Sequence, residues 1–475
     1  MKISKFTIIG VQILSLILLA ATVLRAAEFY VDPINGSLTG NGSQTSPWST
    51  LEEVWNSGKI ESRNCSAPCS TTAPVYVTKN ATGPVKPGDT IYLMSGYHGS
   101  LSITGGYNSN WITIKAYPGQ TPKLKNVFLR SVSKWSFEGV SISPSYAPVF
   151  ANVGWMFKIE DHSWTGPSDH VTLKDSSLFS VPDSSGWVTK EDWLNNASGG
   201  VHSMADYTTL ENIQIKNAAF GVVFYIAHYS TIRRSTLNRL CYDGLWLFGS
   251  DYAKAEYNTI KGIFSVDSPD NHYDLIQTAT VGKPNIGVEI RGNILIGYES
   301  KDQLFLGDGV QGIGCFDGWY ENYIIENNLV VTNSYHGIAL TGAKNSRIIN
   351  NTVVTAFTFD GWPPNSARIG IYAHKDGTLG YGNIIRNNIC DSAVTTDNST
   401  IDHNLVTSDK ISNFVNPDSF DFRLKNTSPA VNAGAIEYAP TISLNETTRD
   451  AQPDIGAHEY ESINAPSPPV NFMRK

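Results

Sequence analysis

Asp270-Asn271-His272-Tyr273-Asp274-Leu275-Ile276-Gln277 puts two carboxylates, an imidazole and an amide into one short stretch. An imidazole titrates near neutral pH, and burial or a like charge can bring a carboxyl group into the same range. Such groups suit general acid and base catalysis on a substrate steadied by the amide. The stretch cannot work alone. From Asp274 onward it reads as the start of a strand, so its partners must come from neighbouring strands. Asp267-Ser268-Pro269-Asp270-Asn271 reads as a turn cluster, which makes Asp270 loop chemistry.

The elements that would supply those partners repeat. An apolar residue followed by a second marked position recurs at Phe137-Glu138, Leu173-Lys174, Leu210-Glu211, Ile232-Arg233, Ala255-Glu256, Ile290-Arg291, Ile325-Glu326, Ile348-Ile349 and Ile385-Arg386. The steps are about 22–23 or about 35–37 residues, the self-similarity of a solenoid whose longer step adds a loop to a bare coil. Strand-like alternation is everywhere and helical periodicity nearly absent. Coils of this length with three short strands stack as a parallel β-helix. Glu138, Lys174, Glu211, Arg233, Glu256, Arg291 and Glu326 alternate in sign, which predicts an ion ladder between strands ~4.8 Å apart on an outer face. It also takes Arg233, Glu256 and Arg291 off the list of catalytic candidates. The Asn pairs 327/328, 350/351 and 387/388 fall at the next turn, where Asn tolerates left-handed backbone and can ladder with its neighbours.

A second strand of each coil starts near a glycine. Aligning Phe220-Gly221-Val222, Asp243-Gly244-Leu245, Asp274-Leu275-Ile276, Gln311-Gly312-Ile313, His336-Gly337-Ile338 and Ile369-Gly370-Ile371 turns Leu245, Ile276, Ile313, Ile338 and Ile371 inward. The residues before the glycines are read as one outward column of Asp243, Asp274, Gln311 and His336. The other outward column holds Trp246, Gln277, Gly314, Ala339 and Tyr372, with His202 at its head.

The composition agrees with this scaffold. The chain has 475 residues, 40 glycines, 11% aromatics and only 16% charged residues, as expected of a β-rich, turn-rich protein. A net charge of −8 disfavours nucleic acid as a partner. Residues 1–27, with Lys2 and Lys5 before an apolar run, read as a secretory signal, or as an uncleaved anchor through residues 6–24. Secreted, extracellular or periplasmic placement is therefore expected, with membrane association only if that segment is retained. Cys65 and Cys69, four apart in a loop, suit a small disulfide in an exported protein. Cys241, Cys315 and Cys390 read as buried hydrophobes.

The ends carry further signals. Ser49-x-x-Glu52 reads as a capping box opening a helix over about Thr50–Asn56, a cap for the open end of the stack. Phe29-Tyr30-Val31-Asp32-Pro33, Pro87-Gly88-Asp89-Thr90-Ile91, Ser428-Pro429-Ala430-Val431-Asn432-Ala433-Gly434 and Pro453-Asp454-Ile455-Gly456 flank the coils. With the coil pattern between them, these stretches resemble secreted right-handed parallel β-helix proteins of the pectate-lyase-like superfamily. The resemblance implies one all-β domain over residues 28–460, with a cap over 28–86 and a Pro/Ser-containing tail over 461–475. Known members include polysaccharide lyases, uronan C5-epimerases, glycoside hydrolases and proteins without demonstrated reaction. Asp270-x-His272-x-Asp274 is similar to the Asp-Pro-His-Asp stretch of mannuronan C5-epimerases, which implies His272 and Asp274 in the groove. The chain lacks the calcium-binding nonapeptide tail of secreted epimerases and the Asn-Gly-x-Glu-type signature of chondroitinase-B-like alginate lyases.

An enzyme is the favoured expectation, a lyase or C5-epimerase that removes the proton α to a uronate carboxylate of an acidic polysaccharide. His272 or His336 would be the base. Gln277 and Gln311, or a calcium ion on Asp243 and Asp274, would hold the carboxylate. Tyr273 or Tyr320 would be the acid. A glycoside hydrolase would use Asp243 and Asp274 as paired carboxylates. A non-catalytic glycan-binding protein would use the aromatic faces of Trp246, Phe316, Trp319, Tyr320, Trp362 and Tyr372. Against any of these, Asp243 alone reads as a turn residue satisfying a backbone donor, His336 as a surface strand residue, and the aromatics as cover for a sheet. A monomer is expected.

Overall fold

The computed structural model describes residues 26–266, 272–306, 309–355, 366–395 and 399–461. Residues 1–25, Asp270, Trp362 and residues 462–475 lie outside the described residues. Within them the chain winds into the right-handed parallel β-helix that the repeat predicts. Each complete central coil contributes a strand to three faces. The face that carries the candidate groove residues, called the groove face below, holds β1 (Gly199–Ser203), β2 (Val222–Tyr225), β3 (Leu245–Phe248), β4 (Asp274–Ala279), β5 (Gln311–Asp317), β6 (His336–Thr341) and β7 (Arg368–Tyr372). Every consecutive pair among them is parallel.

Burial explains why the apolar positions recur. Leu245, Ile276, Ile313 and Ile338 line the inside of the groove face, Leu210, Ile232, Ala255, Ile290 and Ile325 the charged face, and Ile215, Leu237, Ile260 and Leu295 the third; all are 0% exposed. Burying one such aliphatic side chain contributes about 1.5–3 kcal/mol before chain entropy is set against it. A shift of one residue would turn a whole row to solvent, so the rows fix the register.

The predicted ladders both form. Lys174 pairs with Glu138 and Glu211, Glu211 with Arg233, Arg233 with Glu256, Glu256 with Arg291 and Arg291 with Glu326, all in register. Ion pairs close at Lys174–Glu138 (3.3 Å), Arg233–Glu211 (3.0 Å) and Arg291–Glu326 (2.9 Å). At the turn that follows, the two asparagines divide the work. Asn327, Asn350 and Asn387 take left-handed backbone. Asn258, Asn293, Asn328, Asn351, Asn388 and Asn404 point inward, each donating its side-chain amide to the next at 2.9–3.0 Å.

The N-terminal helix α1 spans Leu51–Asn56 and buries Leu51, Val54 and Trp55. Its cap lies one residue later than the sequence predicts. Thr50, not Ser49, accepts from the Glu53 backbone N–H, and the Glu53 carboxylate answers the Thr50 hydroxyl at 2.9 Å, while Glu52 is drawn off to the Ser100 backbone. Cys65 and Cys69 are disulfide-bonded; Cys241, Cys315 and Cys390 are buried thiols. The C-terminal segment lies on the outside of the third face, where Phe414, Phe422, Leu424 and Ile455 cover Ile296, Leu329, Val331, Val354 and Ile389. Among the described residues no helix is long and apolar enough to cross a membrane.

Candidate active-site groove

The groove face sets the predicted residues side by side. His202 pairs with Val223, Val223 with Trp246, Trp246 with Gln277 and Gln277 with Gly314, so the outward column headed by His202 stands. In the other column Asp274 pairs with Gln311, and the pairing of Ile313 with Ile338 sets His336 one coil further on. Asp243 lies one coil before Asp274, whose backbone N–H it accepts at 2.7 Å.

That bond is the familiar device of this molecule, a side chain that accepts the backbone N–H of the next coil. Asp206 does so for His228, and His228 for Asp251. At Asp274 the pattern stops. The Gln311 backbone N–H turns instead to the Tyr273 carbonyl, and neither carboxyl oxygen of Asp274 has a partner although the residue is 0% exposed. A buried acceptor without a donor costs about 1–3 kcal/mol, and more if charged. Burial, and then the neighbouring Asp243, push the Asp274 carboxyl far above the carboxylate range. Burial likewise pushes Asp243 up to about 7. Room for the Asp274 side chain comes from Gly314, where a Cβ would lie 2.4 Å from Asp274 Oδ1 and 2.6 Å from the Phe316 ring.

Two imidazoles flank Gln311. The Gln311 amide nitrogen lies 2.9 Å from Nδ1 of the exposed His272. The Gln311 amide oxygen is buried without a partner. His336 is held between Phe316 (4.9 Å) and Tyr335 (3.9 Å). Burial, then the charges of Arg368 and His272, lower His336 to about 4, so it is unprotonated at neutral pH. His202, at the head of the other column, packs on Trp155 at 5.1 Å and is lowered to about 4 by burial. Trp246 stacks on Phe220 at 5.8 Å, and its indole N–H is buried without an acceptor. Of the buried atoms without partners among the described residues, those of His202, Trp246, Asp274, Gln311 and His336 fall on the two outward columns of one face, and others lie elsewhere in the fold, as at His98, Ser265 and His458.

Three expectations are corrected. Tyr320 is 0% exposed; it begins a strand of a separate three-stranded sheet, and its hydroxyl donates to the Thr278 carbonyl at 3.3 Å. Tyr273 is buried in the same apolar core. Neither can serve as an acid in the groove. Tyr372 pairs with Thr341 and not beside Ala339, because the ladder bulges between His336 and Ile338 and sets Ile338 against Ile369. Its ring folds back, so that its hydroxyl oxygen lies 2.3 Å from where a Gly370 Cβ would stand, and Gly370 is the residue paired with Ala339. Trp319 packs on His374 at 4.8 Å and beneath Lys344 at 4.2 Å, so its faces are already engaged.

The same bulge brings in a residue that the sequence alignment passed over. His336 pairs with Arg368, the first residue of β7. Aligning Gly370 with Gly337 hid this, since the pairing advances two residues on one strand and one on the other. A calcium ion on Asp243 and Asp274 does not fit well: calcium takes six to eight oxygens, and one Asp243 oxygen is committed to the Asp274 N–H. Among the described residues no group of three or more acidic, His or Cys side chains is placed to hold a metal.

Among solved structures the chain is similar to the pectate lyase Pel9A, at 17% identity and a TM-score of 0.44 over 91% of this chain and 96% of that one. It is similar to a rhamnogalacturonan lyase, at 12% identity and a TM-score of 0.40 over 82% and 90%. It is also similar to the A-module of the mannuronan C-5 epimerase AlgE6 from Azotobacter vinelandii, at 13% identity and a TM-score of 0.33 over 66% and 90%. The likeness is one of fold. No protein-family model and no curated protein matches the chain.

Proposed function

We propose that this protein is a lyase or C5-epimerase acting on a uronic-acid polysaccharide in the groove built by β3–β7. The observation that carries the reading is the meeting, on three successive coils, of an unpartnered buried carboxyl (Asp274), an amide-tethered imidazole (His272 on Gln311) and an unprotonated imidazole (His336). Both reactions begin by removing the proton α to a carboxylate. An unprotonated His336 can accept it, and His272 can donate to the leaving oxygen or the opposite face. Asp243 and Asp274, both held toward the neutral form, leave the floor of the groove without the negative charge that would repel an anionic ring.

A hydrolase in the same groove is less well served. It needs one carboxyl group protonated and another ionised on either side of the glycosidic bond. Here both lie in one column, Asp243 at 6% and Asp274 at 0% exposure, and burial drives both the same way. The chain belongs in an assay with a panel of uronic-acid polysaccharides in deuterated buffer. Unsaturated ends read by ultraviolet absorbance would establish elimination, and deuterium at C5 without cleavage would establish epimerisation. New saturated reducing ends with neither signal would replace this reading by hydrolysis.

A further inference from the structure

We infer that Arg368 is the anion receptor of the groove, binding the carboxylate of the sugar ring whose proton His336 removes; the inference rests on the lyase or epimerase reading above. Arg368 stands beside His336 in the cross-strand pairing of β6 and β7. Adjacent coils lie ~4.8 Å apart, a spacing that lets one ring present its carboxylate to one residue and the neighbouring hydrogen to the other.

The state of the guanidinium supports this. The other cation on the groove columns, Lys158 beside His202, is spent on Glu160. Arg130, next to it, is also tied to Glu160, at 2.7 Å. Arg368 has no carboxylate partner among the described residues, yet it is not loose. It lies over the Tyr335 ring at 5.1 Å, and its charge is felt by the Tyr372 hydroxyl. Tyr335 meanwhile rests against His336 at 3.9 Å, so one ring orients both base and cation. A planar guanidinium placed over an aromatic ring can offer its fork of N–H donors to a carboxylate, which an ammonium group would not. The arrangement has a further effect. Arg368 is one of the charges that keep His336 unprotonated, so a carboxylate that neutralises it strengthens the base when substrate arrives.

The test uses the mature chain and its Arg368→Gln and Arg368→Lys variants. Calorimetry would measure binding of hexasaccharides of β-1,4-mannuronate and α-1,4-galacturonate, together with their carboxyl-reduced counterparts. Arg368→Gln is expected to weaken binding of the acidic hexasaccharide that the wild type prefers by about tenfold to a hundredfold, and to leave binding of the neutral counterpart unchanged. Arg368→Lys, which keeps the charge without the fork, should fall between and serves as the folded control. Equal affinity of wild type and Arg368→Gln for the acidic chain would overturn the inference, even if turnover on uronates stands. Equal loss on acidic and reduced chains would also overturn it, since it would mark a structural role. Binding that depends on Arg368 without elimination or exchange would keep the receptor and discard the lyase or epimerase reading. No binding of either hexauronate by the wild type would discard both.

Discussion

Inside the coil stack, Asn328 donates its side-chain amide to Asn351 and to the Ile290 carbonyl, and accepts both the backbone and the side-chain N–H of Asn293. On the groove face Asp243 begins the same way, accepting the N–H of Asp274, and the next rung is missing. Both columns are largely buried and both are built from polar side chains. One closes every hydrogen bond along its length. The other leaves the Asp274 carboxyl, the Gln311 amide oxygen and His336 Nδ1 without partners. The fold leaves buried polar atoms open elsewhere too, as at His98 and His458, and what sets these three apart is that they meet on one face, where the proposed chemistry would use them.

The comparison can be broken in several ways. The largest effect is expected at His336. His336→Ala should reduce turnover by about 10²–10⁴-fold with the denaturant midpoint nearly unmoved; a matching loss of stability would make the residue structural. Asn328→Ala should act in the opposite sense. It removes a fully bonded interior rung and leaves its neighbours unsatisfied, so a loss of about 3–5 kcal/mol is expected in urea titrations. A loss below about 1 kcal/mol would show that the interior ladder is not the satisfied column described here.

Asp274→Asn should separate stability from activity. Asp243 begins near 3.8 in the unfolded chain and is pushed up to about 7 in the fold, and Asp274 is raised as well. Below about pH 3.8 both states hold these protons. Above it the unfolded chain gives them up first, so this pair costs stability progressively as pH rises toward 7. Asp274→Asn should therefore raise the melting temperature, by the equivalent of about 1–2 kcal/mol, at pH 8 and much less at pH 4, while turnover changes little because the amide keeps the floor neutral. A gain that grows toward acid would reverse the sign and refute the account. The smallest effect is expected from chelation. Because the described oxygens make an incomplete calcium shell, dialysis against chelator should leave turnover within about twofold; abolition, with rescue by calcium, would place a metal on Asp243 and Asp274 after all.

Much of this was legible in the residues. Alternating charges and recurring aliphatics gave the register across at least six coils, because a one-residue slip would have turned each row inside out. What misled was phase across turns. Gly337 and Gly370 invited alignment, but the bulge at Gly337 shifts β7, and with it went Arg368. Tyr320 follows the turn at Gly318, whose φ of 128° resets the alternation, so an outward reading carried over from Gln311–Asp317 placed a core tyrosine in the groove. The unpartnered state of Asp274 had no sequence signal, since it depends on where the Gln311 N–H goes.

The charged face has a consequence for how such a molecule can change length. From Glu138 to Glu326 the sign alternates coil by coil. Adding or removing one coil would set like charge on like at the junction, whereas adding or removing two would leave every contact unlike. The row therefore keeps parity, and a stack of this kind should grow or shrink by even numbers of coils.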